Sequence, residues 1–235
     1  MTSTINVPEL WAATLPKPSL DGHKYHRGHA VILGAETYTG ATRLAAEACS
    51  RIGAGLVTVH SLSQEQVYRS TLPADIMVRG DELTALNRPS AVLAGPGGCT
   101  DELASALSDL QDPFDLVLDA DAIRLWPDHR AKTCIVTPHE GEFERYFDSG
   151  AGDATTRASS ASKASGLIVI LKGPHTVIAA PDGQTVINTE ASPYLAKAGT
   201  GDVLAGLITG LVAQECQALT RHAPGPGYMD MPANA

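Results

Sequence analysis

The sequence predicts a three-layer α/β/α domain with a mostly parallel central sheet and a β-hairpin late in the chain. Three observations predict it. Short apolar runs recur: Ala30-Val31-Ile32-Leu33, Ala91-Val92-Leu93-Ala94, Phe114 to Leu118, Cys134-Ile135-Val136-Thr137 and Leu167 to Leu171. Segments between them carry apolar residues at helical spacing, and strands that alternate with helices form parallel sheets covered on both faces. Five of the strands run directly into a turn that bears glycine or charged residues, so these turns gather along one edge of the sheet, where open α/β sheets bind their ligands.

Taken in order, residues 1–20 hold several prolines and little periodicity, and read as an extended lead-in. His23, Lys24, His26, Arg27 and His29 precede the first strand, either as a phosphate contact or as a solvated approach to it. The strand ends at Gly34, and a helix follows from Arg43 to Ile52 with Leu44, Ala45, Ala48 and Cys49 on one face. Gly53-Ala54-Gly55 stops that helix and Leu56-Val57-Thr58-Val59 starts the next strand, completing a β-loop-α-β unit.

The strand at Ala91 runs into Gly95-Pro96-Gly97-Gly98, a tight turn or a close approach to ligand, and a helix follows from Glu102 to Leu110. Asp119-Ala120-Asp121 closes the next strand, and its two acids suit either magnesium or a polar substrate, or else cap the helix at Ala122. After Thr137, His139 and Glu142 share a face at i, i+3 spacing. A single His and Glu make no zinc site, so Glu142 is either an outer ligand to a hydrated magnesium or a surface acid. Residues 149–165 read as a weak helix with a loose loop before it. The most apolar strand then delivers Lys172, and Val177 to Ala180, Pro181-Asp182-Gly183-Gln184 and Thr185 to Ile187 form the hairpin.

The stretch Gly199-Thr200-Gly201-Asp202 opens a helix whose apolar positions are Val203, Leu204, Leu207, Ile208, Leu211 and Val212. A helix N-terminus presents unpaired N–H groups and the positive end of its dipole, and glycines let a phosphate approach the backbone. Asp202 is then either a helix cap or a base that takes a proton from a hydroxyl attacking phosphorus.

Composition narrows the partners. The 235 residues carry a formal net charge of −9, which excludes the basic face of a nucleic-acid binder and favours small-molecule ligands. Cys49, Cys99, Cys134 and Cys216 form no C-x-x-C pair, a pattern of reduced thiols in a cytoplasmic protein. The amino terminus lacks the pattern of a signal peptide, and no apolar run reaches the length of a membrane span.

In order and spacing, Tyr38-Thr39-Gly40-Ala41, Gly53-Ala54-Gly55-Leu56-Val57, Gly95-Pro96-Gly97, Asp119-Ala120-Asp121-Ala122, Thr137-Pro138-His139 with Glu142, Leu171-Lys172-Gly173 and Gly199 to Gly206 resemble the ribokinase-like superfamily. Within it, they resemble the ADP- or ATP-dependent NAD(P)H-hydrate dehydratases, which repair hydrated nicotinamide cofactors. The resemblance runs from His23 to Gln214. It implies a ribokinase-like fold over 1–235, with Asp202 as catalytic base and Gly199, Thr200 and Gly201 as the anion hole. Ala41, Gly97, His139 and Asp202 would contact the S form of the hydrate, and Lys172, Gly173, Pro174, His175, Thr176 and Gly201 the nucleotide. It further implies magnesium, reached from Glu142 through water, and a homo-oligomer, possibly a tetramer. Asp202 would remove the proton from the ring hydroxyl, the terminal phosphoryl group of ADP or ATP would transfer to that oxygen, and phosphate would leave to restore the reduced cofactor.

Sugar kinases of the superfamily carry Asn where His139 stands and often Asp-Thr where Lys197-Ala198 stands, and both differences favour the dehydratase. Pro174 and His175 replace small residues and remove one backbone donor. The segment 215–235, interrupted by Ala223-Pro224-Gly225-Pro226-Gly227, is expected to add less helix than relatives carry, and no fused epimerase domain is expected within the chain. Two rival readings remain at this stage: a kinase for a vitamin precursor, which would use Asp202 in the same way, and a nucleotide-binding protein without turnover.

Overall fold

The computed structural model describes residues 3–86, 89–110, 113–128, 131–147 and 150–215. In chain order the elements are β1 (Ser3–Ile5), β2 (His29–Leu33), α1 (Thr39–Arg51), β3 (Leu56–His60), α2 (Glu65–Thr71), β4 (Met77–Arg79), β5 (Ala91–Ala94) and α3 (Asp101–Ser108). They continue as β6 (Asp115–Leu118), β7 (Thr133–Val136), α4 (Glu140–Tyr146), α5 (Ala154–Ser165), β8 (Ile168–Leu171), β9 (Thr176–Ala179), β10 (Thr185–Asn188) and α6 (Thr200–Ala213).

All ten strands form one sheet in the order β1-β10-β9-β8-β7-β6-β5-β2-β3-β4. Every pairing from β8 to β4 is parallel, and β9 runs antiparallel to both β8 and β10. The predicted fold class therefore stands. From β2 the chain winds outward through β3 and β4, then returns to place β5 on the opposite side of β2. That reversal makes the β2/β5 junction a topological switch point, the place where an open α/β sheet leaves a crevice at its carboxyl edge.

Each central strand is buried on both faces, so it reads as a continuous apolar run. Val31 and Leu33 of β2 face a core shared with Leu103 of α3, Phe143 of α4 and Ala158 of α5. Ala30 and Ile32 of the same strand face a second core with Ala45 and Cys49 of α1 and Ala205 and Ile208 of α6. Burial pushes the Cys49 thiol up to about 12 and the Cys134 thiol up as well, so these free cysteines are apolar filling.

Helix α6 lies against α1 with little between the backbones. A Cβ at Gly206 would sit 2.1 Å from the Ala45 carbonyl oxygen, and one at Gly210 would sit 2.7 Å from that of Cys49. Residues spaced by four lie on one helical face, so the two glycines form a groove that receives α1.

Two expectations change. Residues 3–5 are no mere lead-in, because they pair in parallel with β10 as an edge strand, and Asn6 Nδ2 donates to Asn188 Oδ1 at 3.0 Å. A three-residue strand whose partner is far away in the chain has no local signature. Helix α1 begins at Thr39, a full turn before Arg43, and Leu44 is 43% exposed, off the buried face. The expected helix with a loop before it starts at Ala154, where Asp153 caps it by accepting from the Thr156 N–H. The expectation for the segment after Glu215 lies outside the described residues.

Gly206→Ala should cost more than about 2 kcal/mol in urea unfolding, because backbone overpacking outweighs the gain in helix propensity of about 1 kcal/mol. An unchanged midpoint would show that the helices part easily.

Candidate active site

The carboxyl ends of β2, β5, β6, β7 and β8 meet the N-terminus of α6 along one edge of the sheet. After β5, Gly95 has φ +122°, and its Cβ position would fall 1.9 Å from the Asp119 carbonyl oxygen, so the loop crosses directly over the end of β6. Gly97 has φ +87° and would put a Cβ 2.3 Å from the Tyr38 carbonyl oxygen. Only glycine fits both demands at these positions. Thr42 joins the same two loops: its hydroxyl accepts from the Ala35 N–H and donates to the Pro96 carbonyl, each at 3.0 Å. The first turn of α1, with Ala41, is thereby held beside Gly97.

Asp119 is buried at the end of β6, and its Oδ1 accepts from Thr137 Oγ1 at 2.7 Å and from Lys172 Nζ at 2.9 Å. Its side chain is thus engaged across the strand ends and not in capping the turn at Ala122. Its partner Asp121 instead accepts from the Cys99 N–H at 3.3 Å, anchoring the glycine loop. One carboxylate therefore ties the ends of β6, β7 and β8 together. Thr137, next to Pro138 in the sequence, gave no separate sign of this role; a hydroxyl directly after a buried strand was the available signal.

His139 is the N-cap of α4. Its Nδ1 accepts from the Glu142 N–H at 3.3 Å, while its own N–H donates to Glu142 Oε2 at 2.8 Å. This reciprocal pair is a capping box. With Nδ1 accepting, the ring proton sits on Nε2, 3.4 Å from Glu142 Oε1. Glu142 also lies 3.9 Å from Lys172 Nζ. Its carboxylate is thus already engaged at both oxygens. That donor set fits an outer contact to a magnesium ion that keeps its water shell, and does not fit a direct protein cage.

Gly199 caps α6 with φ +92° and no side-chain cap bond, leaving the N–H groups of the first turn available. Leu44 of α1 reaches to 2.7 Å from a Cβ built on Gly199, so the two helix N-termini abut. Asp202 occupies the third position of α6 and makes no capping hydrogen bond, which removes the cap reading. Its carboxyl is raised above the usual range by burial and then by the charge of Asp119, with Lys172 opposing.

A cleft of about 830 Å³ opens on one side of this terminus, lined by His139, Lys172, Gly173, Pro174, Thr176, Thr200 and Gly201. Pro193, Leu195 and Leu204 supply an apolar wall that the sequence pattern did not single out. His175 is exposed on the same turn but does not line the cleft. Asp202 does not line it either. At about 100° per residue, Asp202 projects roughly 150° away from the face of Thr200, Gly201 and Leu204, toward the α1 side.

The basic cluster before β2 lies at the opposite edge of the sheet. His29 is buried and its ring bonds Thr58 Oγ1 at 2.8 Å. Lys24 and Arg27 border a separate cleft beside Ala54 and Gln214, where α1 and α6 end. Cations there complement the negative ends of two helices.

A family model for NAD(P)H-hydrate dehydratase matches residues 29–225. The chain belongs to the NAD(P)H-hydrate dehydratase family. It is 34% identical over 227 residues, 87% of its length, to the bifunctional NAD(P)H-hydrate repair enzyme Nnr of Thermosynechococcus vestitus. It is 33% identical over 218 residues to the enzyme of the same description from Mycobacterium tuberculosis. It spans 45% and 44% of those two proteins. Among solved structures, the ADP/ATP-dependent NAD(P)H-hydrate dehydratase from Bacillus subtilis co-crystallised with ATP and Mg2+ superposes with a TM-score of 0.81 at 28% identity, covering 95% of this chain and 87% of that one. A ribokinase-like superfamily protein from Enterococcus faecalis gives 0.81 at 26% identity, covering 94% and 84%. The fold is therefore ribokinase-like, and the quoted motifs other than Gly53 to Val57, which lies at the opposite edge, converge on the edge just described. Among the described residues no helix is long and apolar enough to cross a membrane.

A raised carboxyl binds its proton more tightly in the folded state, so ionised Asp202 opposes folding at neutral pH. Asp202→Asn should therefore melt at a higher temperature than the parent at neutral pH. The gap should close as pH falls below the ordinary carboxylate range, where both folded and unfolded states hold the proton. A lower melting temperature at neutral pH would contradict this electrostatic account.

Proposed function

We propose that this chain dehydrates the S form of NAD(P)H hydrate at the expense of ADP or ATP. The observation that carries the reading is Asp202: a carboxylate of raised basicity, free of capping duty, set between the first turn of α1 and an open helix N-terminus. The hydrated ring would lie on the α1 side, against Ala41 and Gly97, with the exposed His139 ring at the border of the two compartments. The nucleotide would lie in the cleft, its phosphates toward Thr200, Gly201 and Lys172 and its base against Pro193, Leu195 and Leu204. Support for the donor comes from the superposition on the Bacillus subtilis enzyme co-crystallised with ATP and Mg2+.

In this arrangement Asp202 accepts the proton of the ring hydroxyl as its oxygen bonds to the terminal phosphorus, and the bond to the remaining nucleotide phosphate breaks. The N–H groups of Gly199 to Gly201 hold the charge that develops on the transferring group. Phosphate then leaves the ring with its bonding electrons, a neighbouring ring carbon loses a proton, and the double bond of the reduced cofactor returns. Water is a poor leaving group and phosphate a good one, which is why a nucleotide is spent. Magnesium, approached from Glu142 through water, would neutralise phosphate charge.

The test incubates hydrated NADH and hydrated NADPH with protein, magnesium and either ADP or ATP, following reduced-nicotinamide absorbance. Recovery should require nucleotide, and Asp202→Asn should lower kcat by about 10³-fold, the scale of a lost general base. A folded protein that binds nucleotide yet restores no absorbance would refute the dehydratase reading. A stable phosphorylated product from another hydroxyl compound would then identify a kinase.

The pH profile carries a second expectation. Activity should fall on the acid side as Asp202 takes up its proton, at a pH above the ordinary carboxylate range. Asp119→Asn removes a repelling charge and frees Lys172, and both changes favour ionised Asp202. The acid limb should therefore move to lower pH; an unmoved limb would separate Asp119 from the base.

A further inference from the structure

The charge distribution in the donor cleft points to a phosphate-binding group outside the quoted family motifs, on the reading that this cleft takes an adenine nucleotide. Lys172 is the obvious cation, but it is already committed. Its ammonium bonds Asp119 at 2.9 Å, lies 3.9 Å from Glu142, and its side chain is only 21% exposed. Two carboxylates that stand behind the cleft wall, Asp119 and Glu142, thereby share the one ammonium on its floor. A nucleoside di- or triphosphate brings several more negative charges. The helix N-terminus supplies only about half a positive charge.

One other lysine lines the cleft: Lys197. It is exposed, and among the described residues it has no ion pair. Its backbone is fixed, since its N–H donates to the Leu195 carbonyl at 2.8 Å, directly after the turn Pro193–Leu195 that walls the cleft. It stands two residues before Gly199, so its ammonium and the unpaired N–H groups of α6 serve the same space. A lysine acts on phosphate as a mobile point charge, needing no fork geometry.

We propose that Lys197 is the cation that binds the phosphate chain of the donor nucleotide, with Lys172 a fixed part of the floor whose charge Asp119 already balances. Lys197 thereby determines selectivity for phosphorylated over unphosphorylated adenine ligands.

The test measures binding of ATP, ADP and adenosine, with magnesium, to the parent, Lys197→Ala and Lys197→Arg across a range of salt concentrations. Lys197→Ala should weaken ATP and ADP by about tenfold, the scale of one charge-assisted contact, and flatten their salt dependence. Adenosine binding and the melting temperature should stay at parental values, and Lys197→Arg should retain most of the affinity. Equal ATP affinity and salt dependence in the parent and Lys197→Ala would overturn the inference while leaving the donor reading intact. A parent that binds neither ATP nor ADP would overturn the donor reading itself, and this inference with it.

Discussion

The geometry of this protein depends on how closely α6 approaches α1. Gly206 and Gly210 let the backbones meet at Ala45 and Cys49, and nothing larger fits. The contact sets the height of α6 over the sheet, and so sets where its open N-terminus falls. Because the same helix pair brings Leu44 against Gly199, the first turn of α1 and the first turn of α6 are positioned by one packing event. Two glycines near the middle of α6 thus govern a site several residues away at its end. Interiors packed at crystal-like density transmit such constraints because they have no slack to absorb them.

A second constraint runs across the strands. Asp119 gathers Thr137 and Lys172 onto one oxygen, so the ends of three parallel strands share a buried ion pair with a hydroxyl. Such a pair contributes little net stability, since desolvation offsets attraction, but it fixes positions. Here it fixes an ammonium at the floor of a cleft, and the charge of Asp119 adds to the burial that raises the Asp202 carboxyl. Structural and chemical roles are therefore not separable at Asp119. Its charge is balanced well enough to be buried and incompletely enough to be felt by its neighbour.

Much of this was legible in the sequence. Apolar runs bounded by glycine turns gave the parallel sheet, since strands buried on both faces admit no polar alternation. The turns after Leu33, Ala94, Leu118, Val136 and Leu171 do share one edge, as a parallel sheet requires. What escaped depends on distant partners. β1 pairs with β10 across almost the whole chain, and no local pattern announces that. The pairing of Asp119 with Lys172 could not be read from the sequence, because its partner lies two strands away. The basic cluster before β2 read as either a phosphate contact or a solvated approach, because sequence cannot tell which edge of the sheet a charge occupies. Leu44 looked like core because helical spacing fixes a face but not what that face meets.

The division of labour at α6 follows from helical periodicity alone. Thr200, Gly201 and Leu204 share the face toward the cleft, while Asp202 turns toward α1. A donor on one face and a hydroxyl on the other would meet across the helix terminus itself, whose N–H groups point along the axis into the gap between them. On the proposed function, that arrangement would keep Asp202 away from an anionic donor, with which a carboxylate on the cleft face would compete. A phosphoryl group transferred between them would pass over the positive end of the helix, where developing charge is best held. A single glycine-capped turn can therefore separate two ligands, orient the transfer between them and stabilise it, provided that the packing of α6 on α1 keeps that turn in place.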